Sequence, residues 1–135
     1  MENRKDDHVK LAEKFHNSHK ISDFDNIRFV HHAFPEIGLG DVDISTEFAS
    51  FKLNQPFFIN AMTGVSEKTR LINEKLSIVA RETELPIASG SLSAAIKDPT
   101  VMDSFDIIRK TNPKGLVFAN LGAEHSVENV KRAID

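Results

Sequence analysis

The chain has no cysteine, no tryptophan and no tyrosine among its 135 residues. Without cysteine there is no disulfide and no thiolate chemistry, a composition that fits a reducing cytosol. Aromatic content rests on ten phenylalanines, so any visible absorbance would have to come from a bound ligand. Basic residues are not in excess: 17 Lys and Arg stand against 20 Asp and Glu, a formal net charge of −3. That balance leaves no electrostatic footprint for nucleic acid or for an anionic membrane. No apolar run approaches the length of a membrane span. The first residues, Met1 to Asp7, are charged with no apolar run behind them, which argues against a secretory signal. The expected location is cytoplasmic. Also missing are a Gly-x-Gly-x-x-Gly fingerprint, a phosphate loop ending in Gly-Lys-Ser/Thr, and a His-Glu-x-x-His zinc motif.

What remains is the composition of one soluble globular domain, 40% hydrophobic and 27% charged. Its clearest feature is Phe57-Phe58-Ile59-Asn60-Ala61-Met62-Thr63-Gly64, where an apolar run stops at a small polar cluster. That is the pattern of a buried parallel strand delivering a loop to the rim of an α/β fold. It recurs twice: Pro86-Ile87-Ala88 runs into Ser89-Gly90-Ser91, and Leu116-Val117-Phe118-Ala119 into Asn120-Leu121-Gly122. The spacing predicts strands near 57–61, 86–89 and 116–120, recurring about every 30 residues. Helices are expected near 66–83, 103–111 and from Ser126 onward. Ser66 is the N-cap of the first, and Ile72, Leu76, Val79 and Ala80 form its buried face. Strand–helix units at this period indicate a parallel sheet, whose three strand ends share the ligand-binding edge.

Residues 1–56 read as an irregular N-terminal segment. A short helix after Asp6 and Asp7 would carry a weak apolar stripe of Val9, Ala12 and Phe15. Ile27 to Val30 reads as extended, and Phe48, Phe51 and Leu53 as one short strand. The last helix reaches Asp135 with no cap, so the pattern reads as truncated: three βα units, where a whole (β/α)₈ barrel takes about 250 residues.

Asn60, Thr63, Ser91 and Asn120 are neutral donors and acceptors, and Gly64, Gly90 and Gly122 allow close backbone approach. They suit a flat heteroaromatic ring, or they are ordinary caps and turns; three ends of one kind bring the site reading level with the other. Arg4, Lys5, His8 and Lys10 form a small basic cluster that either clamps a phosphate or is a solvated terminus. His31 and His32 are adjacent on an extended run, point to opposite faces, and cannot chelate one metal. Glu124-His125 reads as a solvated helix start, and Asp106, Arg109 and Lys110 as a surface face.

Several segments, taken in order, resemble the type 2 isopentenyl diphosphate isomerases. They are Asn3-Arg4-Lys5-Asp6-Asp7-His8, Val30-His31-His32, Ile59-Asn60-Ala61-Met62-Thr63-Gly64, Ser89-Gly90-Ser91, Ala94-Ala95 and Ala119-Asn120-Leu121-Gly122. The resemblance covers this whole chain but only about the first two-fifths of such an enzyme. It implies a (β/α)₈ barrel with FMN at the C-terminal rim, interconverting isopentenyl and dimethylallyl diphosphate. The flavin is reduced by NADPH and acts as acid–base, and Mg²⁺ binds with the diphosphate. Members are cytoplasmic homotetramers or octamers. Carried over residue by residue, Asn60, Met62, Thr63, Gly64, Ser91 and Asn120 would contact flavin. Arg4, Lys5, His8 and the segment Ser91-Leu92-Ser93 would contact substrate. The metal ligand and the loops for the FMN phosphate would lie beyond Asp135, and the chain alone would be inactive. One departure is Val65, where the family usually has a second glycine. Two other readings stand beside this one: a different FMN barrel, such as a 2-hydroxy acid oxidase relative, and a non-catalytic truncated scaffold.

Overall fold

Residues 4–134 are described by a computed structural model. Asn3 of the N-terminal motif and the end of the last helix at Asp135 lie outside the described residues. Three parallel chain segments form the centre. β3 (Ile87–Ser91) pairs in parallel with β4 (Val117–Asn120) on one side. On the other side the first expected strand contributes a single parallel bridge, Ile59 to Ile87. Its bonds are firm: Ile59 N–H donates to Pro86 O and Ala88 N–H to Ile59 O, both at 2.9 Å. The expected strand over 57–61 is therefore shorter than its apolar run. Phe57 and Phe58 are half exposed, and among the described residues no strand flanks them on the outer side.

Helices cover one face of this layer. α2 (Glu67–Thr83) and α4 (Asp103–Thr111) lie where the sequence predicts them. Ser66 caps α2 as expected, its side chain accepting from Thr69 N–H while Ser66 N–H donates to Thr69 Oγ1. The buried face of α2 differs from the expectation. Thr69, Asn73, Ser77 and Ala80 are the buried residues, whereas Val79 is 48% exposed. The reason is the close approach of α4. Small and polar side chains fit between the helices and bond to its backbone, Ser77 Oγ donating to Ile108 O at 2.7 Å. Beneath them Ala80, Ile87 and Ile108 form one buried cluster, flanked by Ile59, Leu76, Ile107 and Val117. A second cluster of Leu92, Ala95 and Phe105 lies nearer the rim.

Between β3 and α4 the chain forms a short helix the sequence reading did not expect, α3 (Ser93–Lys97). The last helix, α5 (Val127–Ile134), starts where expected, but Val127 and Ile134 stay 73% exposed, and Ala133 is the residue that packs on the second cluster. In the N-terminal part, α1 (Arg4–Phe15) begins before Asp6 rather than after Asp7. Ile27 to Val30 forms no strand. The single strand expected at 48–53 is instead an antiparallel hairpin of β1 (Thr46–Phe48) and β2 (Phe51–Leu53). Its two turn residues, Ala49 and Ser50, have φ of 49° and 66°, the turn geometry that matches strand twist. Neither is a usual residue for that turn, which is why the sequence did not show it.

Candidate functional site

The two faces of the parallel layer are chemically different. Ile59, Ile87 and Val117 turn toward the helices. Strand alternation sends their neighbours to the other face, away from the α2–α4 cluster. There Phe58 and Phe118 meet edge to face with centroids 6.1 Å apart, and Phe48 of the hairpin packs on both. Two residues further along each strand, on this same face, stand Asn60 and Asn120, both exposed. They flank β3 symmetrically. A bulge in β3 sets two residues, Ser89 and Gly90, against the single Ala119, and brings Ser91 level with Asn120. Asn120 N–H donates to Ser89 Oγ at 3.3 Å and Leu92 N–H to Asn120 O at 2.9 Å.

The first strand end is locked onto the second. A Cβ on Gly90 would lie 2.2 Å from Thr63 O, so glycine is required for this approach. Thr63 is buried and Gly64 touches the Phe105 ring, leaving no room for a Cβ there. Thr63 O and Ser104 O are both held by the buried amide of Asn73, at 3.2 and 2.8 Å. Val65 N–H donates to Ser104 Oγ at 2.7 Å. Val65 itself has φ of 88°, a conformation that suits glycine and strains a β-branched residue.

The site residues expected from sequence therefore divide. Asn60, Met62 and Asn120 present exposed side chains, and Ser91 and Ser93 are half-buried at the same edge. Thr63 and Gly64 shape the loop from within. Leu92 has its side chain in the core and its N–H already engaged. Arg4 and His8 are exposed and share a face of α1, one turn apart. That helix is tied to the rim: Ser66 Oγ donates to Asp6 Oδ1 at 2.5 Å, and Lys68 pairs with Glu13 at 3.2 Å. His31 and His32 are exposed, and no group of three or more metal-ligating side chains occurs among the described residues.

One expectation about these residues is corrected and one is extended. His125 is no solvated helix start: it is half-buried, its Nε2 lies 2.7 Å from Ser93 Oγ, and its Nδ1 faces Asn129 Nδ2 at 3.3 Å. Asp106, Arg109 and Lys110 are exposed, as a surface face requires, and the Arg109 guanidinium also donates to Gly115 O at 2.8 Å, closing the turn before β4. The reading also missed Asn73. Its signal was present, because Thr69, Asn73 and Ser77 repeat every fourth residue along α2.

No protein-family model matches the chain. Curated proteins do. Over 133 residues, 98% of this chain, it is 53% identical to the isopentenyl-diphosphate delta-isomerase of Streptomyces sp. (strain CL190). Its relatives are isopentenyl-diphosphate delta-isomerases. The same name belongs to proteins of Latilactobacillus sakei subsp. sakei (strain 23K), 49% identical over 97% of the chain, and Staphylococcus aureus (strain N315), 45% identical over 99%. The chain spans only 37 to 38% of the length of these isomerases.

Proposed function

We propose that the protein carrying this segment is the type 2, FMN-dependent isopentenyl-diphosphate delta-isomerase. In this reading the segment supplies the flavin-ring platform and part of the clamp for the substrate diphosphate. The observation that carries it is the face opposite the α2–α4 cluster, on which Asn60 and Asn120 flank the bulged end of β3. A parallel layer with α2 and α4 on one face is what the first units of a (β/α)₈ barrel would be, with the phenylalanine face turned to the barrel interior. The donor set fits the group. Neutral amides and hydroxyls at an open strand edge match a heteroaromatic ring, and the described rim residues offer no comparable cluster for the FMN phosphate.

Moving the double bond requires a proton to arrive at one carbon and another to leave a second. Asn60, Ser91, Ser93 and Asn120 are neutral at physiological pH and cannot serve as general acid or base. Reduced FMN, when bound, supplies that acid–base chemistry. The chain's own residues then bind and orient. Arg4 on α1 offers a planar fork and Lys5 a point charge to the diphosphate, and the Asp6–Ser66 bond holds their helix at the rim. NADPH as reductant, Mg²⁺ at the diphosphate with ligands outside this segment, a homotetramer or octamer, and a cytoplasmic setting complete the reading.

The test joins residues 1–135 to the remaining length of the Streptomyces relative. Isomerisation of isopentenyl diphosphate should require FMN and a reductant. Arg4→Ala and Lys5→Ala should each raise KM about tenfold, the loss of one charge-assisted contact. Flavin-independent turnover, or unchanged KM in both variants, would refute the reading. Consumption of a 2-hydroxy acid would favour an oxidase instead.

A further inference from the structure

One polar chain at the rim is not absorbed by flavin binding. It links three segments: Ser91 at the end of β3, Ser93 at the start of α3, and His125 with Asn129 around the start of α5. Ser91 Oγ donates to Ser93 Oγ at 3.1 Å, and Ser93 N–H returns a long bond to Ser91 Oγ at 3.5 Å. Ser93 Oγ lies 2.7 Å from His125 Nε2, and Asn129 Nδ2 lies 3.3 Å from His125 Nδ1. All four residues lie between full burial and full exposure.

The direction of this chain follows from donor chemistry. With the Asn129 amide placed so that Nδ2 faces the ring, and because an amide NH₂ only donates, the tautomer that satisfies this contact has Nδ1 of His125 as acceptor. The neutral imidazole proton is then on Nε2, which donates to Ser93 Oγ. Ser93 Oγ thus accepts twice, from Ser91 and from His125, and both lone pairs are occupied. Its own proton is bound by neither partner. A hydroxyl whose lone pairs are filled and whose proton is free presents itself as a donor, the polarity an anionic oxygen requires. Successive donors aligned in one direction also polarise one another.

We infer that His125 is a positioning residue that, with Asn129 behind it, fixes Ser93 as a hydrogen-bond donor to the substrate's diphosphate. The inference rests on the isomerase reading for the identity of the anion. It assigns His125 no contact with the reacting carbons and no proton transfer. A histidine in the opposite tautomer would turn the Ser93 proton inward and leave the hydroxyl unable to donate outward.

Two measurements test it on the 135-residue chain. The first is the tautomer, read from long-range ¹H–¹⁵N spectra of ¹⁵N-histidine-labelled protein. Expected is a protonated Nε2 on His125 whose resonance moves in Ser93→Ala; a protonated Nδ1 overturns the inference. The second is titration with inorganic pyrophosphate and, separately, FMN. His125→Ala and Ser93→Ala should each weaken pyrophosphate about tenfold, and His125→Gln, which can still donate to Ser93, should stay within about threefold of the parent. FMN affinity should not change in the His125 variants. Equal pyrophosphate affinity in all forms overturns the inference. If the parent binds FMN but not pyrophosphate, the flavin reading stands and this inference falls. If it binds neither, both fall.

Discussion

Single residues at the rim carry opposite kinds of constraint. Gly90 is held by the backbone of Thr63, which has no room to yield, since an added Cβ would lie 2.2 Å from Thr63 O. Gly90→Ala should therefore destabilise by about 2 kcal/mol or more, read by thermal or denaturant unfolding, and a neutral result would mean that the first and second strand ends are not in contact. Val65 is the reverse case. Its φ of 88° is strained at a cost of about 1–3 kcal/mol, while its side chain packs against the Leu92, Ala95 and Phe105 cluster. Val65→Gly removes strain and packing together, so the net change should stay within about 1 kcal/mol. A loss of 3 kcal/mol or more would show that the backbone at Val65 is not strained. Glycines at strand ends were legible in the sequence as close-approach positions. The partners they approach were not, because Thr63 and Phe105 come from other segments.

At the scale of elements, α2 and α4 hold the rim through buried polar groups rather than apolar interdigitation. Asn73 bridges two carbonyls from different segments. Asn73→Ala should cost about 2–4 kcal/mol, two bonds lost and two acceptors left buried, and should weaken FMN as the first loop loosens. Stability unchanged within error would contradict this bridge. The long helix periods and the Ser66 cap were readable because they are local. The hairpin at 46–53 was not, since Ala49 and Ser50 adopt positive φ without glycine or asparagine to announce it. The buried face of α2 was misplaced for a related reason: apolar periodicity marks Val79, but proximity of α4 selects small residues. An exposed pair adds a pH effect on α4. The ammonium of Lys110, hydrogen-bonded at 2.6 Å, holds the Asp103 carboxyl below its ordinary value. Its stabilising contribution is present above the ordinary aspartate range and is lost as pH falls through the lowered value. Asp103→Asn should thus be slightly less stable than the parent at neutral pH and indistinguishable at strongly acidic pH. The pair is solvent-exposed, so the difference should shrink in high salt.

At the scale of the whole molecule, the parallel layer has one face covered by α2 and α4 and one that carries the phenylalanine cluster with Phe48 of the hairpin. The parallel direction of the strands followed from the 30-residue period, and Asn60, Ser91 and Asn120 lie at one edge, as the shared strand-end expectation has it. What the sequence could not show is how much apolar surface stays uncovered. Leu71, Ile78 and Val79 on α2, Val127 and Ile134 on α5, and Phe24, Phe29, Val30 and Phe34 in the N-terminal segment are all exposed. Apolar surface of this extent drives association, so sedimentation velocity should show concentration-dependent self-association of the chain. The central claim concerns the phenylalanine face, and the measurement that reaches it most directly is an FMN titration of the folded chain, followed by quenching of flavin fluorescence. The account predicts saturable quenching, weakened about tenfold in Asn60→Ala and Asn120→Ala, exposed positions whose proposed hydrogen bonds to the ring would be lost without disturbing the core. No quenching by a chain whose circular dichroism shows its helices intact would contradict it.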